Sequence, residues 1–90
     1  MSVRFCLGRI VATPGALNAL VVAGQDPGEL LDRHREGDWG NVPPEDAKEN
    51  DFSVEHGFRI ISSYPIGGGR VWIITEADRS STCILLPEEY

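Results

Sequence analysis

The chain predicts an α+β fold: a four-stranded, mainly antiparallel sheet, made of an N-terminal strand and a C-terminal three-stranded meander, with three short helices between them. Two observations predict it. Residues 58–87 read as three apolar-rich runs of strand length, FRIISSYPI, RVWIITEAD and RSSTCILLP, the first two parted by three glycines. Ahead of them a proline start and a glycine stop recur three times, at Pro14 and Gly24, Pro27 and Gly37, and Pro44 and Gly57, which is the punctuation of short helices. Ninety residues sustain one thin core, so residues 1–90 form a single domain.

Residues 3–12 alternate weakly as Val3, Phe5, Leu7, then Ile10 and Ala12, and Gly8 breaks the period. The pattern predicts one strand with a bulge near Gly8. Thr13 and Pro14 supply an N-cap and a first-turn proline for a helix over 14–23, with Leu17, Leu20 and Val21 as its apolar stripe. Asp26 and Pro27 repeat the signal for a helix running to Gly37, with Leu30, Leu31 and His34 inward. The third helix, 44–56, has acids at its start and His56 at its end, as the helix dipole favours. It offers only Ala47, Phe52 and Val54 to a core, which predicts a surface position.

In the meander, one face collects Phe58, Ile60, Ser62 and Tyr64 with Val71, Ile73, Thr75, Ile84 and Leu86. The other carries Arg70, Trp72, Ile74, Glu76, Cys83 and Leu85. Both faces are partly apolar, so helices are expected over one, and a loop or a second subunit over part of the other. Gly67 to Gly69 form a hairpin turn. A phosphate cradle would need a helix directly after the glycines, and a strand follows.

Fourteen acidic residues stand against eight basic ones, a net charge of −6, which disfavours nucleic acid as a partner. Ten of the acids lie between Asp26 and Glu55, so the middle of the chain presents a negative face suited to a basic protein partner or able to imitate a phosphate backbone. No apolar run reaches the length of a membrane span, and the N-terminus lacks the apolar stretch of a secretory signal, which points to the cytoplasm. Cys6 and Cys83 fall in predicted strands and are expected to be small buried hydrophobes. With no CxxC spacing, and with His34 and His56 far apart, neither metal nor cofactor is expected.

Three features are candidates for function. Trp39, between Gly37 and Gly40, either plugs the edge of the core or anchors a partner; with Asp32, Glu36 and Asp38 it makes the candidate partner-binding set. Asp38 suits a turn closed on its own backbone. His34 reads as a packed histidine with satisfied ring nitrogens. The polar stretch 75–82 reads as a hairpin loop, or as an anion site in which Arg79 clamps a phosphate and Glu76 is a base.

The strings GRIVATPGAL, GDWG and WIITEADRSSTCILLPEEY resemble a family of small uncharacterised bacterial proteins often found with plasmids and other mobile elements. The order of the last third, with Arg59, Asp78 and Thr82 at matching positions, is similar to the barnase-like ribonucleases and related toxins. That resemblance implies an RNA-cleaving site at Arg59, Glu76, Arg79 and Thr82. Arg79 stands where that family has its catalytic histidine, and a guanidinium cannot shuttle a proton. The chain therefore reads first as a non-enzymatic protein-interaction domain of a mobile element, an accessory or inhibitor of host nucleic-acid-processing machinery of the restriction or CRISPR type. A divergent or degenerate ribonuclease toxin and a structural homodimer are the alternatives.

Overall fold

The structure, a computed structural model, describes residues 2–90 and places three helices and a four-stranded sheet in the expected order. The elements are β1 (Arg9–Ala12), α1 (Pro14–Ala23), α2 (Pro27–Arg35), α3 (Pro44–His56), β2 (Ile60–Ile66), β3 (Gly69–Thr75) and β4 (Ser81–Leu85), with a closing 3₁₀ turn at Pro87–Glu89. The strand order is β1-β4-β3-β2. The meander is antiparallel, but β1 pairs with β4 in parallel, so the sheet is mixed. No helix among the described residues is long and apolar enough to cross a membrane.

The helix signals work as their chemistry requires. Thr13 Oγ1 accepts from the Ala16 N–H at 3.1 Å, and Asp26 Oδ1 from Gly28 N–H at 3.0 Å. Gly24 and Gly57 end α1 and α3 in the left-handed region. α2 stops at Arg35 rather than at Gly37, because Glu36 already caps it.

Side-chain alternation sets the two faces of the sheet. Ile60, Ser62, Tyr64 and Ile66 share one face with Val71, Ile73, Thr75, Thr82 and Ile84, and all are buried. Ala16 and Leu20 of α1 and Leu30 of α2 cover this face. The stripe expected on α1 is rotated: Leu17 and Val21 are exposed, and the smaller Ala16 lets the helix sit close to the sheet instead. A second apolar cluster of Phe5, Leu7, Trp39 and Ile60 closes the other end.

The first strand is shorter than its pattern. Phe5 and Leu7 are buried, yet they lie in an irregular segment that crosses from α2 to the sheet, anchored by Arg4 N–H to Arg35 C=O at 2.7 Å. Cys6, expected in a strand and buried, is exposed in this segment, while Cys83 is half-buried in β4. Gly8, at φ 67°, presses against the backbone of Arg79 and Ser80, where a β-carbon would not fit. Phe58, assigned to the first meander strand, precedes β2 and is exposed, as is Phe52. α3 instead buries two polar residues, Asn50 and Ser53.

Asn50 explains how the outer edge of β2 is closed. Its amide donates to Ile61 C=O at 2.8 Å and accepts from Ile61 N–H at 3.2 Å. Two residues on, Ser63 N–H donates to Trp39 C=O and Ser63 C=O accepts from Asn41 N–H. The next outward position is Pro65, which has no N–H to offer. The edge thus exposes no unpaired donor over these three positions, the usual protection against strand-to-strand aggregation.

Gly40 makes this close approach possible: it sits at φ 75°, and a β-carbon there would overlap the Ser63 carbonyl oxygen. Gly40→Ala is expected to cost about 2–4 kcal/mol, from left-handed strain plus displacement of the loop. Gly24→Ala, with open space around the same backbone conformation, should cost about 1 kcal/mol. Urea unfolding of the two variants measures the difference; equal losses would remove the steric argument.

Candidate functional site

The turn residues singled out from the sequence do not assemble into one centre. Arg59 and Glu76 form an ion pair at 3.1 Å, with Arg59 also donating to Tyr90 Oη at 3.1 Å. Thr82 lies on the opposite, helix-covered face, fully buried. Arg79 points to neither carboxylate. Its guanidinium donates to the carbonyls of Phe58 (2.8 Å), Glu76 (3.1 Å), Ala77 (3.2 Å) and Ser53 (2.7 Å). Arg79 thereby ties the end of α3 to the tip of the hairpin, adding its bond to a Ser53 carbonyl that also accepts from the Gly57 and Phe58 N–H groups, where the helix dipole favours a cation. It holds φ 61°, the one non-glycine residue among those described with a positive φ. Asp78 closes the turn by accepting from Ser80 N–H at 3.0 Å, as its residue type predicts.

The acidic set near α2 is only partly available. Asp32 is bound by Arg35 at 2.6 Å and Asp38 by Arg33 at 2.7 Å, and that guanidinium holds the Asp38 carboxyl below its ordinary range. Asp38 also accepts from Gly40 N–H at 3.1 Å, the expected turn. Trp39 is the plug rather than an exposed anchor. It stacks at 6.0 Å on Phe5, and its indole N–H donates to Asp51 at 3.2 Å. Glu36 is half-buried and in no ion pair with a described residue.

His34 is fully buried, and both ring nitrogens are engaged: Nδ1 lies 2.6 Å from Ser62 Oγ and Nε2 2.8 Å from Thr75 Oγ1. Thr75 Oγ1 is 2.7 Å from Thr82 Oγ1, whose hydroxyl donates to Leu7 C=O at 2.7 Å. The last bond orients the rest. Thr82 spends its proton on Leu7, so it accepts from Thr75; Thr75 then accepts from Nε2–H, and Nδ1 accepts from Ser62. The imidazole is neutral with its proton on Nε2, and burial, aided by the Arg79 charge, lowers its pKa to about 3. A serine hydroxyl on an imidazole nitrogen has the geometry of an activated nucleophile. Here neither group is exposed, and the second nitrogen faces a threonine rather than a carboxylate, so the pair is a structural link.

An open groove lies on the other face of the sheet. About 810 Å³ in volume, it runs between α3 and β2–β3, floored by Ile61, Ser63 and Trp72. Phe52 stacks between His56 (4.1 Å) and Phe58 (5.9 Å, 9° between planes) along its rim, and Tyr90 meets Trp72 edge-on at 5.5 Å. Phe52 and Phe58 are each 54% exposed and Tyr90 66%, three exposed aromatic rings lining one groove. Asp46 and Glu49 line the α3 wall, and Arg59 and Arg70 the sheet wall. The strand alternation that puts Arg70 and Trp72 on this face was readable in the sequence. Phe52 was instead offered to the core and Phe58 placed in the first meander strand, and Tyr90 carried no signal. No group of three potential metal ligands comes together among the described residues.

Compared with protein-family models, curated proteins and solved structures, the chain gives no match.

Two outcomes follow from the buried chain and from Arg79. The unfolded His34 titrates near its ordinary value of about 6.5 and the folded one near 3, so acid protonates the unfolded state first. Stability is complete above that range and falls by about 1.4 kcal/mol per pH unit as the pH drops through it. Denaturation across pH 7 to 3.5, set against His34→Leu to subtract the carboxylates, measures the slope; a slope unchanged by the substitution would refute the neutral assignment. Arg79→Ala should cost about 2–3 kcal/mol through its lost charge-assisted bonds to carbonyls, read as a lower unfolding midpoint.

Proposed function

We propose that this chain is a non-enzymatic protein-interaction module of a bacterial mobile element, and that it takes a segment of a partner protein into the groove between α3 and the sheet. The groove carries the reading: it is open, apolar at its floor, and rimmed by aromatic side chains that the core does not use. Its α3 wall selects for charge. Asp46 and Glu49, which line it, and Glu45 and Glu55 elsewhere on α3 are exposed and form no ion pair with any described basic residue. A partner segment with an apolar anchor flanked by lysine or arginine matches both properties, the anchor on Phe52, Phe58 and Trp72 and the cations toward α3.

The setting rests on the resemblance carried by GRIVATPGAL, GDWG and WIITEADRSSTCILLPEEY. Proteins that handle nucleic acids present basic surfaces, and an acidic module would bind them as an accessory or an inhibitor of restriction or CRISPR-type machinery. Action within the cytoplasm belongs to the same proposal.

Selection from a displayed peptide library tests it, followed by titration on the Trp72 fluorescence signal with Trp72→Phe as the control. Apolar-anchored basic peptides should be enriched, with affinity that falls with salt. Asp46→Lys with Glu49→Lys should weaken binding about tenfold or more. Peptides enriched regardless of charge, or binding indifferent to Phe52→Ala and Phe58→Ala, would sink the reading.

A further inference from the structure

The two edges of the sheet are treated differently. While β2 is sealed by Asn50, the Trp39 loop and Pro65, the β1 edge is left open. Arg9 N–H donates to Ser80 C=O at 3.0 Å and Thr13 N–H to Ile84 C=O at 3.0 Å. In a parallel ladder the odd-numbered residues between them face β4, so the N–H and C=O groups of Ile10 and Ala12 face away from the sheet. They have no partner among the described residues. Ile10 is 50% and Val11 40% exposed, and Leu17, one helical turn beyond the strand, is exposed on the helix-covered side.

We propose that β1 is the pairing edge of a homodimer, in which a second copy adds its own β1 antiparallel to make one eight-stranded sheet. The pairing is self-complementary about Val11. Ile10 of one copy stands opposite Ala12 of the other and exchanges two hydrogen bonds with it, and the symmetry repeats them, for four in all. Val11 meets its own counterpart in the closer, non-hydrogen-bonded pair on the outer face, and the large Ile10 packs over the small Ala12 on the inner one.

Charge favours a second copy at this edge over the acidic α2 and α3. Residues 1–25 contain no carboxylate side chain. The acid that the fold brings to this edge is Glu89, whose carboxylate accepts from Thr13 Oγ1 at 2.6 Å, and the antiparallel register sets Arg9 of the second copy opposite Thr13. Two molecules of net charge −6 repel most where α2 and α3 face each other and least where β1 and α1 meet. The strand is only four residues long, so the dimer depends on Leu17 and the adjoining apolar surface to approach the ~800 Å² a side of a stable interface.

Sedimentation of the full chain from micromolar to millimolar concentration tests this. A species of twice 9.9 kDa is expected, reverting to a monomer with Val11→Lys while the circular dichroism, and the unfolding midpoint taken at a concentration too low for the dimer, stay unchanged. Since Val11 lies beside Cys83 in register, a second arm uses Val11→Cys with Cys6→Ser and Cys83→Ser. Oxidation should give a covalent dimer well above that of Glu55→Cys in the same background. A monomer at every concentration, a dimer that survives Val11→Lys, or cross-linking no greater than at Glu55 would each overturn the proposal. Because the groove lies at the far edge, peptide binding persists in the Val11→Lys monomer whichever way the dimer test falls.

Discussion

A chain of four buried hydrogen bonds, from Ser62 through His34, Thr75 and Thr82 to the carbonyl of Leu7, holds together segments that are remote in sequence. It joins β2, α2, β3, β4 and the N-terminal segment, and its four side chains are wholly inaccessible to solvent. Each bond contributes little net, but each group left unpaired in such a site costs about 1–3 kcal/mol, so the chain is stable only when complete. That condition specifies the fold. A one-residue slip of any strand would turn its serine or threonine to the outer face and orphan the rest. The imidazole serves because it is the side chain that accepts at one nitrogen and donates at the other while carrying no charge.

The same logic, a polar side chain spent on backbone groups, recurs where the helices meet the sheet. Arg79 closes the carbonyl end of α3 and the hairpin after β3. Asn50 substitutes for a neighbouring strand at Ile61, and Tyr64 donates to the Asp38 carbonyl at 2.6 Å, its phenol pushed up to about 12 by burial. These contacts engage Arg79, Asn50 and Tyr64 in the framework, and leave the Arg59–Glu76 ion pair at the surface. The aromatic rim of the groove, the acids of α3 and the open β1 edge remain outside this framework.

Consumption by the framework also explains which sites were legible. Asp38 and Asp78 were readable as turn residues because the bond is local, two positions along the same chain. His34 was readable as packed, since it follows Leu30 by one helical turn. That Arg79 would grip four carbonyls was not readable, because one of them, Ser53, lies 26 residues away. The groove was half-visible: alternation placed Arg70 and Trp72 on the second face, yet Phe52 and Phe58 carry the same apolar signature as core residues. Whether an aromatic side chain is buried depends on what volume the other elements leave for it, and the small core was already filled by Tyr64, Leu20 and the isoleucines.

What the sequence by itself determined is the set of elements: three proline-started helices, a C-terminal meander with its face assignment, and the segregation of acids away from the first 25 residues. Each depends on interactions within a few positions of the chain, such as capping, fixed φ angles and the two-residue period of strands. Only the tertiary structure decided that β1 runs parallel to β4, that Phe5 and Leu7 fill the core without forming a strand, and that α1 sets Ala16 beside Leu20 on its inner side in place of Leu17 and Val21. Those outcomes turn on close packing and on the pairing of buried polar groups between distant segments, and no local pattern encodes which distant partner supplies the bond.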